Sequence, residues 1–139
     1  MNYFLDTSIC VDVLRNNGPQ KSFELFESFS DDKNTGIISV ITVAELSAGA
    51  ALSPLKDAQK KTDELLVYVQ IAGLDESVAI AGGKIYAKLS KAGKKIEFND
   101  CLIAATAHSL GMDEIVTRNC DPFNRIDGCT AVVPEKLGF

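Results

Sequence analysis

Histidine is almost absent from this chain, with a single copy at position 108 in 139 residues, and none of the four cysteines is in CxxC spacing. Cys10, Cys101, Cys120 and Cys129 with one imidazole give no zinc-ligand pattern. The thiols are expected reduced and mostly buried. Long hydrophobic runs are missing too: no apolar stretch approaches the roughly 20 residues that cross a bilayer. Residues 1–5 carry no basic leader, so no signal peptide is expected; the expected compartment is the cytoplasm, with no membrane partner. Positive charge is scarce, 14 Lys and Arg against 19 Asp and Glu for a net −5. That deficit argues against broad, non-specific attraction to nucleic acid, though not against an enzyme that reaches a phosphate through a metal. There is no internal repeat, linker or low-complexity segment.

What is present is ordinary in bulk and patterned in detail. A hydrophobic content of 46% in 139 residues suits one domain, 1–139, with one core. Asn2-Tyr3-Phe4-Leu5 reads as a short buried strand running into Asp6. Thr7 or Ser8 is placed to cap a helix to about Arg15, with Ile9, Val11, Val13 and Leu14 as its apolar members. Asn17-Gly18-Pro19 makes a turn with proline at a helix start, and the helix over 20–29 carries Phe23, Leu25, Phe26 and Phe29. A second strand is expected over 36–40 and helices over 42–52 and from Ser53-Pro54 to about Tyr68. A weakly signalled third strand covers 70–74. Asp75 or Ser77 caps a helix through Ala92 that Gly93 ends.

The stretch over 98–119 organises the rest. Asn99 is placed to cap a helix, Asp100 falls in its first turn, and Gly111 ends it. Leu102, Ile103, Ala104, Ala105, Ala107 and Leu110 cover nearly its whole circumference, so it should be buried. The strand over 114–117 then exits through polar Arg118 and Asn119, and Thr130 to Val133, stopped by Pro134, supplies a fifth. Strands separated by helices throughout mean an α/β fold, a three-layer α/β/α arrangement around a mostly parallel five-stranded sheet.

Parallel crossovers return each helix antiparallel to the strands, so helix N-termini lie at the strands' carboxyl edge. Asp6 ends the first strand, Glu45 lies in the first turn after the second, Asp100 opens the helix before the fourth, and Asp121 follows that strand. All four are expected on one edge, where open α/β sheets bind ligands. Two carboxylates about 4 Å apart repel by roughly 4 kcal/mol at an effective dielectric near 20. Such a cluster takes up protons or requires a cation. Oxygen donors without a local histidine favour Mg²⁺ or Mn²⁺, and that equipment fits phosphodiester hydrolysis.

Each residue also has a plain structural reading. Thr42 and Glu45 spell a capping box, Asp100 suits the helix dipole, and Asp6 can cap the following helix. Their convergence is what points to chemistry.

Taken together, LDTS (Leu5 to Ser8), the glutamate of VITVAEL, NDCLIAATA (Asn99 to Ala107) and IVTRN (Ile115 to Asn119) resemble the PIN-domain family, more closely the VapC-type toxins of toxin–antitoxin pairs. The match covers essentially the whole chain in order and spacing. The resemblance implies an Mg²⁺- or Mn²⁺-dependent endoribonuclease acting on RNA, a homodimer, and a cognate antitoxin that blocks the site. Asp6, Glu45 and Asp100 match the family's acidic metal-binding positions, and Thr117 and Asn119 its polar strand-exit residues. Two departures stand out. Phe98 replaces an acid often found two residues before Asp100. After TRN the order is Cys120-Asp121-Pro122-Phe123, which displaces the fourth acid by one.

Around that set, Thr7 and Ser8 are candidates to touch a phosphate or to cap. Arg118 either meets substrate phosphate or neutralises the acids. Lys84, Lys88, Lys91 and Lys95 form a helical stripe that is either an RNA track or a solvated flank. His108 sits in a last turn, suited to the dipole. The aromatic helix with Phe23, Phe26 and Phe29 is core or a groove for a partner helix. With one distant histidine no activated Cys–His or Ser–His pair can be built, so water is the expected nucleophile. Two alternatives remain open: an inactive PIN-like interaction module, and a phosphohydrolase using Asp6 as nucleophile. The second wants an aspartate where Ser8 stands.

Overall fold

A computed structural model describes residues 1–138. In chain order it contains β1 (Asn2–Leu5), α1 (Thr7–Leu14), α2 (Gln20–Ser30), β2 (Thr35–Ser39), α3 (Val40–Leu52), α4 (Ala58–Leu66) and β3 (Val69–Ala72). There follow α5 (Glu76–Lys91), α6 (Phe98–Ser109), β4 (Glu114–Val116), α7 (Cys120–Asn124), β5 (Thr130–Val132) and a 3₁₀ turn, Pro134–Lys136. The strands form one sheet in the order β3-β2-β1-β4-β5, and every pairing is parallel. The expected five-stranded parallel architecture is therefore the one observed.

Strand alternation sets the two core layers. Tyr3 and Leu5 point to one side with Ile38 and Val116, where they meet Leu25, Phe26, Phe29, Leu46 and Leu65. Phe4 and Ile115 point to the other, against Leu89, Ile103, Ala104, Ala107 and Phe123. Both faces of the central strands are covered, which is why they read as continuous apolar runs rather than as alternating ones. Helices α1, α2 and α4 thus pack on one face, and α5, α6 and α7 on the other. A Cβ added at Gly36 would come within 2.4 Å of the Phe29 ring, so a bare backbone is needed for α2 to lie this close to β2. No helix among the described residues is long and apolar enough to cross a membrane.

Several local expectations shift for identifiable reasons. Helix α3 starts at Val40, capped by Ser39, whose Oγ accepts from the Ile41 N–H at 3.1 Å. Thr42 is thus inside the helix and makes no capping box, and Glu45 stands in the second turn rather than the first. Asp6, not Thr7 or Ser8, caps α1. Glu97, not Asn99, holds the N-cap position of α6, without a side-chain bond. Residues 53–57 after Ser53-Pro54 stay irregular, so α4 begins only at Ala58. Within α1, Val11 is exposed while Asp12 is buried, the reverse of the apolar pattern. The caps expected at Asp75 and the left-handed glycines Gly93 and Gly111 are in place, with φ of 71° and 73° at the glycines.

Candidate active site

The chain leaves β1 towards β2 and leaves β4 towards β5, so the connections diverge between these two neighbouring strands. A crevice opens at such a switch point beyond the carboxyl ends of the strands. Asp6 lies directly at this point. Its N–H donates to the Val116 carbonyl at 2.9 Å, which extends the β1–β4 pairing by one residue. Its backbone is extended, and its carboxylate accepts from the Ser8 N–H at 3.4 Å as the α1 cap.

Three further hydroxyl bonds fix that carboxylate and its neighbour. Ser8 Oγ and Thr117 Oγ1 each donate to Asp6 Oδ2 at 2.8 Å. The Arg118 N–H donates to Ser8 Oγ at 3.0 Å, and the Asn119 N–H to Thr117 Oγ1 at 3.0 Å. The polar exit from β4 is thereby tied to the α1 start. Next to it, Thr7 Oγ1 donates to Glu45 Oε1 at 2.7 Å and lies 2.9 Å from Thr42 Oγ1. Thr7 and Ser8 therefore each hold a carboxylate, and neither acts as the helix cap.

Asp100, half-buried in the first turn of α6, completes the group. Its carboxyl is pushed from the ordinary 3.8 up to about 6, chiefly by burial and then by the charges of Asp6, Glu45 and Glu97. Asp100 is thus within electrostatic reach of Asp6, Glu45 and Glu97. Glu97 was not foreseen. Its position at the N-cap of α6 would have shown it, had the helix start been placed two residues earlier.

A carboxyl whose folded-state pKa lies above its unfolded one binds protons more tightly in the fold. Its burden on stability therefore appears as pH rises through about 4 and is complete just above 6. In chelator-treated protein, Asp100→Asn should raise unfolding stability at pH 7.5 by about 1–2 kcal/mol, after discounting the full shift for solvent screening of a half-exposed group. The gain should vanish near pH 3. Denaturation curves at both pH values check this, and equal stability at pH 7.5 would place Asp100 outside the field of the other acids.

The donor set is oxygen only. His108 sits at the far end of α6 and pairs with Asp113 at 2.8 Å. Burial pushes the Cys10 thiol to about 12 and the Cys101 thiol to about 11, so neither offers a thiolate. All four cysteines are free. Among the described residues no three acidic, histidine or cysteine side chains already close around a single point. An open set of hard oxygens suits Mg²⁺ or Mn²⁺, which take one or two carboxylates and keep several waters.

A family model described as PIN domain matches residues 3–128. The chain belongs to the PIN-domain family. It is 33% identical over 127 residues to the ribonuclease VapC2 of Haemophilus influenzae, an alignment covering 91% of this chain and 92% of that one. It is 30% identical over 129 residues to the tRNA(fMet)-specific endonuclease VapC of Shigella flexneri, covering 92% and 94%. Among solved structures, a chain of the VapBC2 complex of Rickettsia felis bound to a promoter DNA fragment superposes with a TM-score of 0.82 at 31% identity, covering 96% and 98%.

Two further expected residues of this PIN domain are placed by their ion pairs. Asp121 is exposed at the start of α7, and its Oδ2 accepts from Arg125 at 2.7 Å. It lines the same cleft as Asp100 and Asn119, a space of about 560 Å³. Arg118 neither reaches that cleft nor neutralises its acids. Its guanidinium turns to the other side of the sheet edge, donating to Asp12 at 2.5 Å, to Ser22 at 2.8 Å and to Glu135. The lysine stripe divides: Lys88 pairs with Asp127 at 2.7 Å, while Lys95 stands 5.7 Å from the Tyr86 ring centre, beside the cleft.

Proposed function

We propose that this PIN domain is an Mg²⁺- or Mn²⁺-dependent endoribonuclease, the toxin component of a toxin–antitoxin pair. The observation that carries the reading is the placement of Asp6 at the β1–β4 switch point with Asp100 within the field of its charge and of Glu45. These three carboxylates would hold the ion, with Asp121, paired to Arg125, at the rim of the cleft. A divalent ion there supplies Lewis-acid polarisation of a phosphoryl oxygen and makes a water more acidic.

The chain's own residues supply orientation. Ser8 and Thr117 donate to one oxygen of Asp6 and leave the other available. Thr7 does the same for Glu45. The exposed Asn119 amide is positioned to bind substrate phosphate or ribose. A covalent enzyme intermediate has no activated nucleophile to form from, since His108 is committed to Asp113 and the buried thiols are held protonated. Water is the attacking group. That same lack of a second aspartate near Asp6 leaves the phosphohydrolase alternative without its acid, because Ser8 is already bonded to Asp6.

The antitoxin partner is supported by the neighbouring structure, which is a VapBC complex. A groove of about 490 Å³ between α1, α2 and α4, with Leu14, Phe23, Phe26, Leu65 and Tyr68 in its lining, suits an amphipathic antitoxin helix. Phe26 and Phe29 serve the core, and Phe23 faces the groove.

The reading is tested by incubating antitoxin-free protein with transfer RNA and with unstructured RNA. Cleavage is expected with Mn²⁺ and with Mg²⁺, and none after chelation by EDTA. No cleavage in Mn²⁺ by protein of native circular dichroism would leave the inactive-module alternative standing instead.

A further inference from the structure

The cleft that contains Asp100 has a second wall that the metal chemistry does not use. Phe98, the first residue of α6, is 48% exposed, although most of its neighbours in the cleft are charged or polar. Nothing in helix energetics asks for it: a first-turn position favours an acid or a small polar residue, and an exposed phenyl ring there forfeits both. The ring is nonetheless held in place. Tyr86 of α5 meets it in a T-shaped contact, with ring centres 5.2 Å apart and planes at 87°. Such edge-to-face geometry fixes one ring against another while about half of the Phe98 surface stays open.

Positive charge borders this aromatic surface. Lys95 lies 5.7 Å from the Tyr86 ring centre, and Arg125 anchors to the Lys95 carbonyl at 3.2 Å and to Asp121 at 2.7 Å. An open aromatic face beside two cations, in a cleft of about 560 Å³ that reaches Asp100, has the components of a single-stranded nucleotide site. Unpaired bases stack on aromatic side chains while Lys and Arg meet the backbone.

We propose that this cleft binds an unpaired nucleoside adjacent to the cleaved phosphodiester, its base stacked on Phe98 and its outer phosphate facing Lys95 and Arg125. The inference rests on the ribonuclease reading and adds to it a contact surface: it assigns the exposed Phe98 to the base and Tyr86 to holding it.

The test uses the full chain. In an Asp6→Asn background, which leaves the RNA intact, a short single-stranded RNA carrying a fluorescent adenine analogue is titrated in Mg²⁺. Stacking on Phe98 should quench the analogue. Phe98→Ala should remove the quench and weaken binding about 5- to 100-fold, while Phe98→Trp should keep both. Lys95→Gln should lower the salt dependence of binding by about one phosphate contact. With Asp6 restored, Phe98→Ala should raise KM by a similar factor with kcat little changed. Phe98 is exposed enough for these variants to fold, and circular dichroism verifies it. If wild type cleaves RNA but Phe98→Ala binds and quenches as before, the nucleoside subsite is refuted and the ribonuclease reading stands. If folded wild type cleaves no RNA, both fall.

Discussion

Asp6→Asn should lower RNA cleavage on the order of 10³-fold, equivalent to about 4 kcal/mol of lost transition-state stabilisation. The isostere keeps the shape of the side chain and leaves one acceptor oxygen for Ser8 and Thr117, so the hydroxyl network can persist. What disappears is negative charge at the point where β1 meets β4. Unfolding stability should not fall with activity: the substitution removes one like charge from beside Asp100, which already suffers from its neighbours. Loss of activity with unchanged or higher Tm separates a chemical role from a structural one. By contrast Ser8→Ala and Thr117→Val, which disturb only the orientation of Asp6, should cost about 10- to 100-fold. Retained cleavage in Asp6→Asn would remove this carboxylate from the mechanism.

The architecture, and the sheet edge on which the acids stand, were legible from the chain for the same reason. Alternating strands and helices force a parallel sheet, and a parallel sheet forces strand ends and helix starts to one edge, so Asp6, Glu45 and Asp100 could be assembled without coordinates. Helix boundaries were less legible because local signals compete. The β-branched run Val40-Ile41-Thr42-Val43 carries strand propensity, yet Ser39 caps a helix over it and packing overrides the preference. Helix α7 was not foreseen, since five residues with Pro122 among them give no period to read; proline is tolerated there because it sits in the first turn. Long side chains were least legible. Arg118 leaves the backbone beside Asp6, and only coordinates show that its charged end lies against Asp12 rather than in the cleft.

That arginine carries a large expected stability effect. The Asp12 carboxylate is only 5% exposed, on the buried side of α1. It is tolerated because Arg118 Nε donates at 2.5 Å, Ser22 Oγ at 2.7 Å and Arg15 at 3.2 Å. Arg118→Ala removes the one well-shielded cation, for Arg15 is 60% exposed. An uncompensated buried carboxylate costs about 3–5 kcal/mol, and with Ser22 and Arg15 still bonded the lower figure applies, so unfolding free energy should drop by about 3 kcal/mol. Glu135→Gln removes the other, half-exposed partner of the same guanidinium and should cost less than about 1 kcal/mol. The diagnostic is the double replacement Asp12→Asn with Arg118→Met, which removes both charges and should recover much of the loss, since a buried ion pair gives little over a neutral pair of similar volume. Urea denaturation of wild type, Asp12→Asn, Arg118→Met and the double replacement measures the cycle. Should Arg118→Ala stay within about 0.5 kcal/mol of wild type, the range of an ordinary surface change, Asp12 does not depend on Arg118. The contact between β4, α1 and the 3₁₀ turn would then have to rest on the apolar packing around Leu5, Ile9 and Val116 alone.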